Sequence, residues 1–141
     1  MEGSERKVLV ARNCHLTRDQ IQAALEAFKQ DRFSELCLTS SNPEGRLTKT
    51  DTYSLINWLK VEATGSYYEC KFLLASADDV KEVLEKHVHT ASRSVVRTPF
   101  NHFYNFEFDK NDRRCSLYAH VYVDTHKDLQ ELKLMYRIHK N

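Results

Sequence analysis

Histidine and tyrosine are the side chains through which this chain could do chemistry. Seven of each occur among its 141 residues, and both combine an apolar ring with a polar tip that suits ligand or partner binding. Five of them lie in two segments, 102–108 and 118–124. Because alternate residues of a strand share one face, these segments define two sets: His102, Tyr104, Phe106 and Phe108, and Tyr118, His120, Tyr122 and Asp124.

The two sets would form one surface of rings and imidazoles if the two strand faces coincide. We predict a ligand pocket or a partner-binding patch there, because aromatic residues are enriched among the energetically important residues of interfaces. The alternative is that the rings only pack a sheet face under a helix, since aromatic residues favour strands for packing reasons alone. The predicted binding residues are His102, Tyr104, Tyr118, His120 and Tyr122, with Trp58 as an exposed anchor.

A second set of residues resembles the motifs of the single-strand endonucleases that initiate rolling-circle replication. The segment His87-Val88-His89 is similar to their His-hydrophobe-His motif, and Tyr136 to Lys140 is similar to their Tyr-x-x-x-Lys motif. The resemblance implies a divalent metal on His87 and His89 and a nucleophilic Tyr136. Against this, the helical spacing of the residues before His87 places both histidines near a helix C-terminus, whose carbonyl groups favour such side chains.

Other catalytic signatures are absent from the sequence. It contains no Gly-x-Gly-x-x-Gly, no Gly-Lys-Ser/Thr phosphate loop, no Gly-x-Ser-x-Gly and no His-Glu-x-x-His. The neighbours Cys14 and His15 would diverge on an extended chain, which argues against a nucleophile with its base. We therefore predict no catalytic residue, no metal ligand and no cofactor.

The composition argues against several classes of protein. Lys and Arg number 21 against 20 Asp and Glu, and 41% of the residues are hydrophobic, which is not typical of a disordered or strongly basic chain. The sequence has no apolar run that resembles a signal peptide or a membrane span, so we expect an intracellular protein, cytoplasmic or nuclear, without membrane contact. Nucleic-acid binding stays a weaker alternative because the second half is locally basic: Lys86, Arg93, Arg97, Lys110, Arg113 and Arg114.

The four cysteines, at positions 14, 37, 70 and 115, predict reduced thiols. They lack Cys-x-x-Cys spacing and have hydrophobic neighbours, which fits positions inside strands better than a disulfide framework or a zinc site.

Three strand–helix units account for the first ninety residues. Thr17 and Gln20 can form a capping box at the start of an amphipathic helix, a second helix is expected at about 50–60, and Ser76 can cap a third. A strand precedes each helix, near residues 8, 35 and 68. Successive units of this kind predict right-handed crossovers and a parallel sheet.

The last third of the chain predicts an antiparallel strand meander. Residues 95–96, 100–108 and 117–123 show strand patterns, and 109–113 has the composition of a hairpin turn. Residues 129–139 fit a helix or a strand, and we favour the strand because the hairpin needs a partner. The predicted fold class is therefore α+β, rich in α/β units: one domain of residues 1–141 on one mixed sheet, with 1–6 as a flexible tail.

Residues 8–40 resemble the leucine-rich-repeat-like, F-box-associated region of nematode proteins. The matching pattern is Asn13-x-x-Leu16-Thr17-x-x-x-Ile21-x-x-x-Leu25-x-x-Phe28, followed by Leu36-x-Leu38. The resemblance implies a surface that recruits a substrate or a partner without catalysis.

These observations favour a small intracellular protein-interaction module with an unidentified protein partner. Two alternatives stay open at this point: a metal-dependent enzyme that nicks single-stranded nucleic acid, and a domain that binds a small ligand between its helices and its meander. The oligomeric state is not predicted.

Overall fold

The computed structural model describes residues 7–30, 33–40, 42–87, 92–97 and 100–139, with the backbone alone at 13–14, 87 and 92–97. The predicted tail, residues 1–6, lies outside this part. In chain order the described α-helices and strands are β1 (Val8–Cys14), α1 (Arg18–Lys29), β2 (Glu35–Ser40), α2 (Lys49–Val61), β3 (Tyr67–Leu73), α3 (Ala77–His87), β4 (Ser92–Arg97), β5 (Asn101–Lys110), β6 (Arg113–Asp124) and β7 (Leu129–Ile138), and a short 3-10 helix, Pro43–Gly45, lies between β2 and α2.

The helices begin where their capping residues predict. The Thr17 hydroxyl accepts from the Gln20 backbone N–H while the Gln20 side chain accepts from the Thr17 N–H, so the predicted capping box is confirmed. Thr48 and Asp51 form a second capping box at α2. At α3, the Ser76 hydroxyl accepts from the backbone N–H of Asp79 at 3.3 Å, as predicted. Each cap satisfies backbone donors that the first turn of a helix leaves unpaired.

All the described strands belong to one sheet in the order β1-β2-β3-β7-β6-β5-β4. The pairs β1–β2 and β2–β3 are parallel, whereas β4 to β7 form an antiparallel meander that joins the parallel part through the antiparallel β3–β7 pair. The expected strand at 129–139 is confirmed as β7. The fold class is α+β, as predicted.

A two-residue turn connects β5 to β6 and fixes their alignment. Asn111 and Asp112 both have positive φ, 52° and 63°, which is the conformation of the hairpin turns that match strand twist. Lys110 therefore pairs with Arg113, and the pairing continues to Asn101 and Tyr122.

The helices cover one face of the sheet. The connections from β1 to β2 and from β2 to β3 both move one strand in the same direction across the sheet. Because such crossovers are right-handed, α1 and α2 lie on the same face of the sheet. Apolar residues of α3, including Val80 and Leu84, belong to the same buried cluster. In that cluster Phe28, Trp58 and Tyr68 form a group of rings whose centroids lie 5.2 to 5.7 Å apart.

The prediction that Trp58 is an exposed anchor is wrong, because its side chain is only 7% exposed. Leu55, Trp58 and Leu59 are buried together on α2. Their i, i+3, i+4 spacing forms the apolar stripe by which the helix packs on the sheet.

Cys37, Cys70 and Cys115 lie in strands and carry no disulfide bond. Burial raises the pKa of the Cys70 thiol above its ordinary value, so this thiol stays protonated and packs as a small apolar side chain. The side chain of Cys14 lies outside the described part.

None of the described helices combines the length and the apolar character that a membrane-spanning helix needs.

Candidate functional site

The predicted binding residues of β5 and β6 lie on opposite faces of the sheet. Tyr104 pairs with Ala119, and His102 pairs with Val121. Directly paired residues share a face, and both Ala119 and Val121 are fully buried under the helices. His102 and Tyr104 therefore lie on the covered face, and the prediction of one shared aromatic face is wrong.

Tyr104 is a core residue. It is fully buried, and its hydroxyl donates to Glu85 of α3 at 3.3 Å. Its ring is nearly parallel to that of Phe106, with centroids 6.3 Å apart. For Tyr104 and Phe106, the alternative that the rings only pack a sheet face under a helix is therefore correct.

Tyr118, His120 and Tyr122 lie on the other face, which none of the described helices covers. We call this surface the open face. Its residues on β3, β7, β6 and β5 include Tyr67, Glu69, Lys71 and Leu73 of β3, Glu131, Lys133, Met135 and Arg137 of β7, Ser116, Tyr118, His120 and Tyr122 of β6, and Asn101, Phe103, Asn105 and Glu107 of β5.

Phe103 is the open-face residue that sequence reasoning missed. It pairs with His120, and the two rings stack with centroids 4.4 Å apart and planes 13° from parallel. Tyr118 lies on the other side of Phe103, at 6.2 Å between centroids. The signal was available: a two-residue turn at Asn111 and Asp112 pairs even-numbered residues of one strand with odd-numbered residues of the other.

His120 is held in the middle of this row of rings. Its Nε2 shares a 2.7 Å hydrogen bond with Asn101 Oδ1, and its ring lies edge-on to Tyr122 at 6.5 Å. Burial lowers the pKa of His120, and Lys133 lowers it further, against an opposing effect of Glu131. The imidazole is therefore biased toward its neutral form.

The two tyrosines of this row are also biased toward neutrality. Burial raises the pKa of Tyr118. Burial raises the pKa of Tyr122 as well, as does the hydrogen bond that its hydroxyl donates to Asp124 at 3.2 Å. The row can therefore offer uncharged rings and hydrogen-bond donors to whatever contacts it.

One end of the open face contains a concavity of about 630 Å³. Phe103, Tyr118, Met135 and Tyr67 supply its rings and its thioether. Its polar residues are Asn105, Glu107, Ser116, Arg137 and His139. Tyr104 and Tyr136 also border it, although both residues are fully buried and their rings belong to the covered face.

Several polar groups of the concavity are already paired within the protein. Ser116 Oγ and His139 Nε2 share a short hydrogen bond. Arg114 Nη2 lies 3.0 Å from Glu107 Oε1, so the one carboxylate among the described lining residues already has an ion-pair partner. In contrast, the side chains of Asn105, Tyr118 and Arg137 make no hydrogen bond or ion pair within the described part of the chain.

Tyr136, the nucleophile of the nicking alternative, is not placed for that chemistry. Tyr136 is fully buried on the covered face of β7 instead of on an accessible helix. Burial raises the pKa of its hydroxyl, which lies 3.4 Å from Cys115 Sγ. The side chain of His87 and all of His89 lie outside the described part, and the residues inside it contain no group of three possible metal ligands among His, Cys, Asp and Glu.

Part of the predicted basic stretch is engaged within the protein. Lys110 Nζ donates to the backbone carbonyls of Leu59 and Ala63, each at 2.8 Å. Arg114 contacts both Glu107 and Asp109. These contacts reduce the positive charge available to a nucleic-acid backbone, while the side chains of Arg93 and Arg97 lie outside the described part.

No family model and no curated protein matches the chain. Among solved structures, that of the protein YER067W is 10% identical and covers 99% of this chain and 97% of its own, with a TM-score of 0.31. A methyltransferase from Clostridium acetobutylicum, described as S-adenosylmethionine-dependent, is 8% identical and covers 96% of this chain and 76% of its own, with a TM-score of 0.21. At these TM-scores neither likeness bears on the function.

Proposed function

We propose that this protein is a non-catalytic protein-interaction module and that its partner docks on the open face. The observation that carries the proposal is the row of rings formed by Tyr118, Phe103, His120 and Tyr122. These rings contact one another on the face opposite the buried core. The buried core contains none of these four rings, so the row is available for contact with a partner.

The composition of the open face supports a protein partner. Tyrosine, phenylalanine, methionine and arginine are enriched in the centres of protein interfaces, with charged groups at their rims. Here the rings and Met135 are flanked by residues of both signs, including the Lys71–Glu131 pair at 3.8 Å. A face with balanced charge favours a protein surface over the uniformly negative backbone of a nucleic acid.

The resemblance of residues 8–40 to an F-box-associated region points in the same direction. It suggests that the partner is a protein recruited for further processing, and this remains part of the proposal. An intracellular location is also proposed, because Cys37, Cys70 and Cys115 carry no disulfide bond and unpaired thiols are typical of reducing compartments.

The test is a co-purification from cell extract with two matched variants. His120→Ala/Tyr122→Ala removes two rings of the row, whereas Tyr53→Ala removes a 55% exposed tyrosine from α2 on the helical side. We expect a protein that is retained by the wild type and by Tyr53→Ala and lost with the double variant. Circular dichroism checks that each variant is folded. Equal recovery with all three chains, or recovery of nothing, would contradict the proposal.

A further inference from the structure

The concavity at one end of the open face has the size and walls of a small-molecule site. Ligand pockets commonly measure about 300–1,000 Å³ and have mostly apolar walls with a few placed polar groups. This concavity measures about 630 Å³, and Phe103, Tyr118, Met135 and Tyr67 form its apolar surface. Transfer of an apolar chain or ring from water into this concavity would lower the free energy.

The unpaired polar groups in the concavity are all able to donate hydrogen bonds. Arg137 supplies a guanidinium, Tyr118 a phenol and Asn105 an amide. These residues lie on neighbouring strands: Asn105 pairs with Tyr118, and Tyr118 with Met135, two residues from Arg137. Since the two polar side chains beside them, Glu107 and Ser116, already have partners, the remaining donors define the polar chemistry of the site.

Arg137 determines the charge of the expected ligand. It is the only lysine or arginine that lines the concavity in the described part of the chain, and it has no acidic partner there. Glu107, the one carboxylate among the described lining residues, is paired with Arg114, so Arg137 supplies the one charged group of the described lining that has no ion-pair partner. A guanidinium matches the planar, two-oxygen geometry of a carboxylate, and such bidentate pairs are among the stronger hydrogen bonds.

We propose that the concavity binds a small organic molecule that carries one carboxylate on an apolar chain or ring. The carboxylate pairs with Arg137 and accepts from Tyr118 or Asn105, and the apolar part lies against Phe103 and Met135. The concavity shares Phe103, Tyr118 and Met135 with the proposed docking surface. Docking of the protein partner is tested separately through His120 and Tyr122, two residues that do not line the concavity.

The test uses 2-naphthoate and decanoate as probes, with 2-naphthylmethanol as the uncharged analogue of the first. Binding is followed by protein NMR and isothermal titration calorimetry on the full chain. We expect saturable binding of at least one carboxylate, with shifts centred on the amides of Ser116, Tyr118 and Met135. The alcohol should bind at least about tenfold more weakly, because it cannot form the charged pair.

Three variants separate this site from general attraction to positive charge. Arg137→Gln should weaken carboxylate binding about tenfold or more, whereas Arg12→Gln, the same change on exposed edge strand β1, should leave it unchanged. Met135→Trp should block binding by filling the concavity. Circular dichroism shows whether each variant keeps its fold.

The proposal is overturned if neither carboxylate binds, if the alcohol binds as tightly as 2-naphthoate, or if a folded Arg137→Gln variant binds as well as the wild type. Such a result would leave the protein-interaction proposal standing, because that proposal depends on co-purification through His120 and Tyr122.

Discussion

Tyr104 and Tyr122 lie on neighbouring strands of the same sheet and have different surroundings. Tyr104 is fully buried among the helices and donates to Glu85. Tyr122 is only partly buried on the open face and donates to Asp124 at 3.2 Å. At the scale of single residues, the direction in which a ring points from its strand therefore separates the core from the candidate binding surface.

Alanine substitutions at these two tyrosines should differ in their effect on folding. Tyr104→Ala should lower the free energy of unfolding by about 3–5 kcal/mol, because it leaves a cavity in a packed core. Tyr122→Ala should lower it by about 1 kcal/mol or less. Urea denaturation measures both values, and similar losses for the two variants would argue against the assignment of the faces.

His120 should make stability depend on pH just below neutrality. Its pKa is lowered from 6.5 in the folded protein, so the unfolded chain takes up this proton first as the pH falls. The stabilising contribution of the neutral imidazole is therefore complete above about pH 6.5 and is lost progressively below it.

To check this contribution, urea denaturation of the wild type and of His120→Gln is compared between about pH 7.5 and pH 5.5. The urea midpoint of the wild type should fall more over this interval than that of the variant, since the remaining histidines are common to both. Equal falls would show that His120 does not hold a lowered pKa.

At the scale of elements, Asp51 connects two helices. It caps α2 with Thr48, forms an ion pair with Arg18 of α1 and accepts from Gln22 Nε2 at 3.1 Å. Burial tends to raise the pKa of this carboxyl, but hydrogen bonds from Arg18 and Thr48 together lower it below its ordinary value. The charged form is thus favoured in the folded protein.

Asp51→Ala should cost more than the loss of a simple helix cap. We expect a decrease of about 2–3 kcal/mol in the free energy of unfolding, because Arg18 loses a buried partner, against about 1 kcal/mol for the cap variant Thr17→Ala. Since the pKa of Asp51 is lowered, its stabilisation is present above the unfolded value of 3.8 and disappears as the pH falls through the folded value. Chemical denaturation of both variants measures the difference, and equal losses would contradict this role.

The helices could be predicted from the sequence because their signals are local. The capping residues at Thr17 and Ser76 lie three positions from their partners, and apolar residues recur at helical spacing. The faces of the meander were assigned wrongly because they depend on which residues of two strands pair. Only the two-residue turn at Asn111 and Asp112 carried that information.

The candidate site was only partly predictable for the same reason. Tyr118, His120 and Tyr122 were found through alternation within one strand. Their neighbours Phe103 and Arg137 come from other strands, and pairing between strands brings them together. Trp58 was misplaced although its spacing from Leu55 and Leu59 already puts it on the apolar stripe of α2.

At the scale of the whole molecule, β7 joins the two halves of the sheet. It pairs with β3 of the strand–helix units on one side and with β6 of the meander on the other. Leu134 lies at the centre of this junction, paired with Cys70 and Ala119, and is 1% exposed. This strand should make the two halves unfold as one unit.

Leu134→Ala tests that cooperativity. We expect a loss of about 2–5 kcal/mol in the free energy of unfolding, with the same midpoint by Trp58 fluorescence, which reports the helical side, and by far-UV circular dichroism. Lys133→Ala, one residue away on the open face, should change the midpoint little. Separate midpoints for the two probes would show that the halves unfold independently.

Site-specific photo-crosslinking in cells tests the role of the open face most directly. A benzoylphenylalanine replaces Tyr122 on the open face in one chain and Tyr53 on the helical side in another. The account predicts a discrete protein adduct from position 122 that is missing from position 53. The same adducts from both positions, or an adduct from position 53 alone, would contradict the open face as the partner-binding surface.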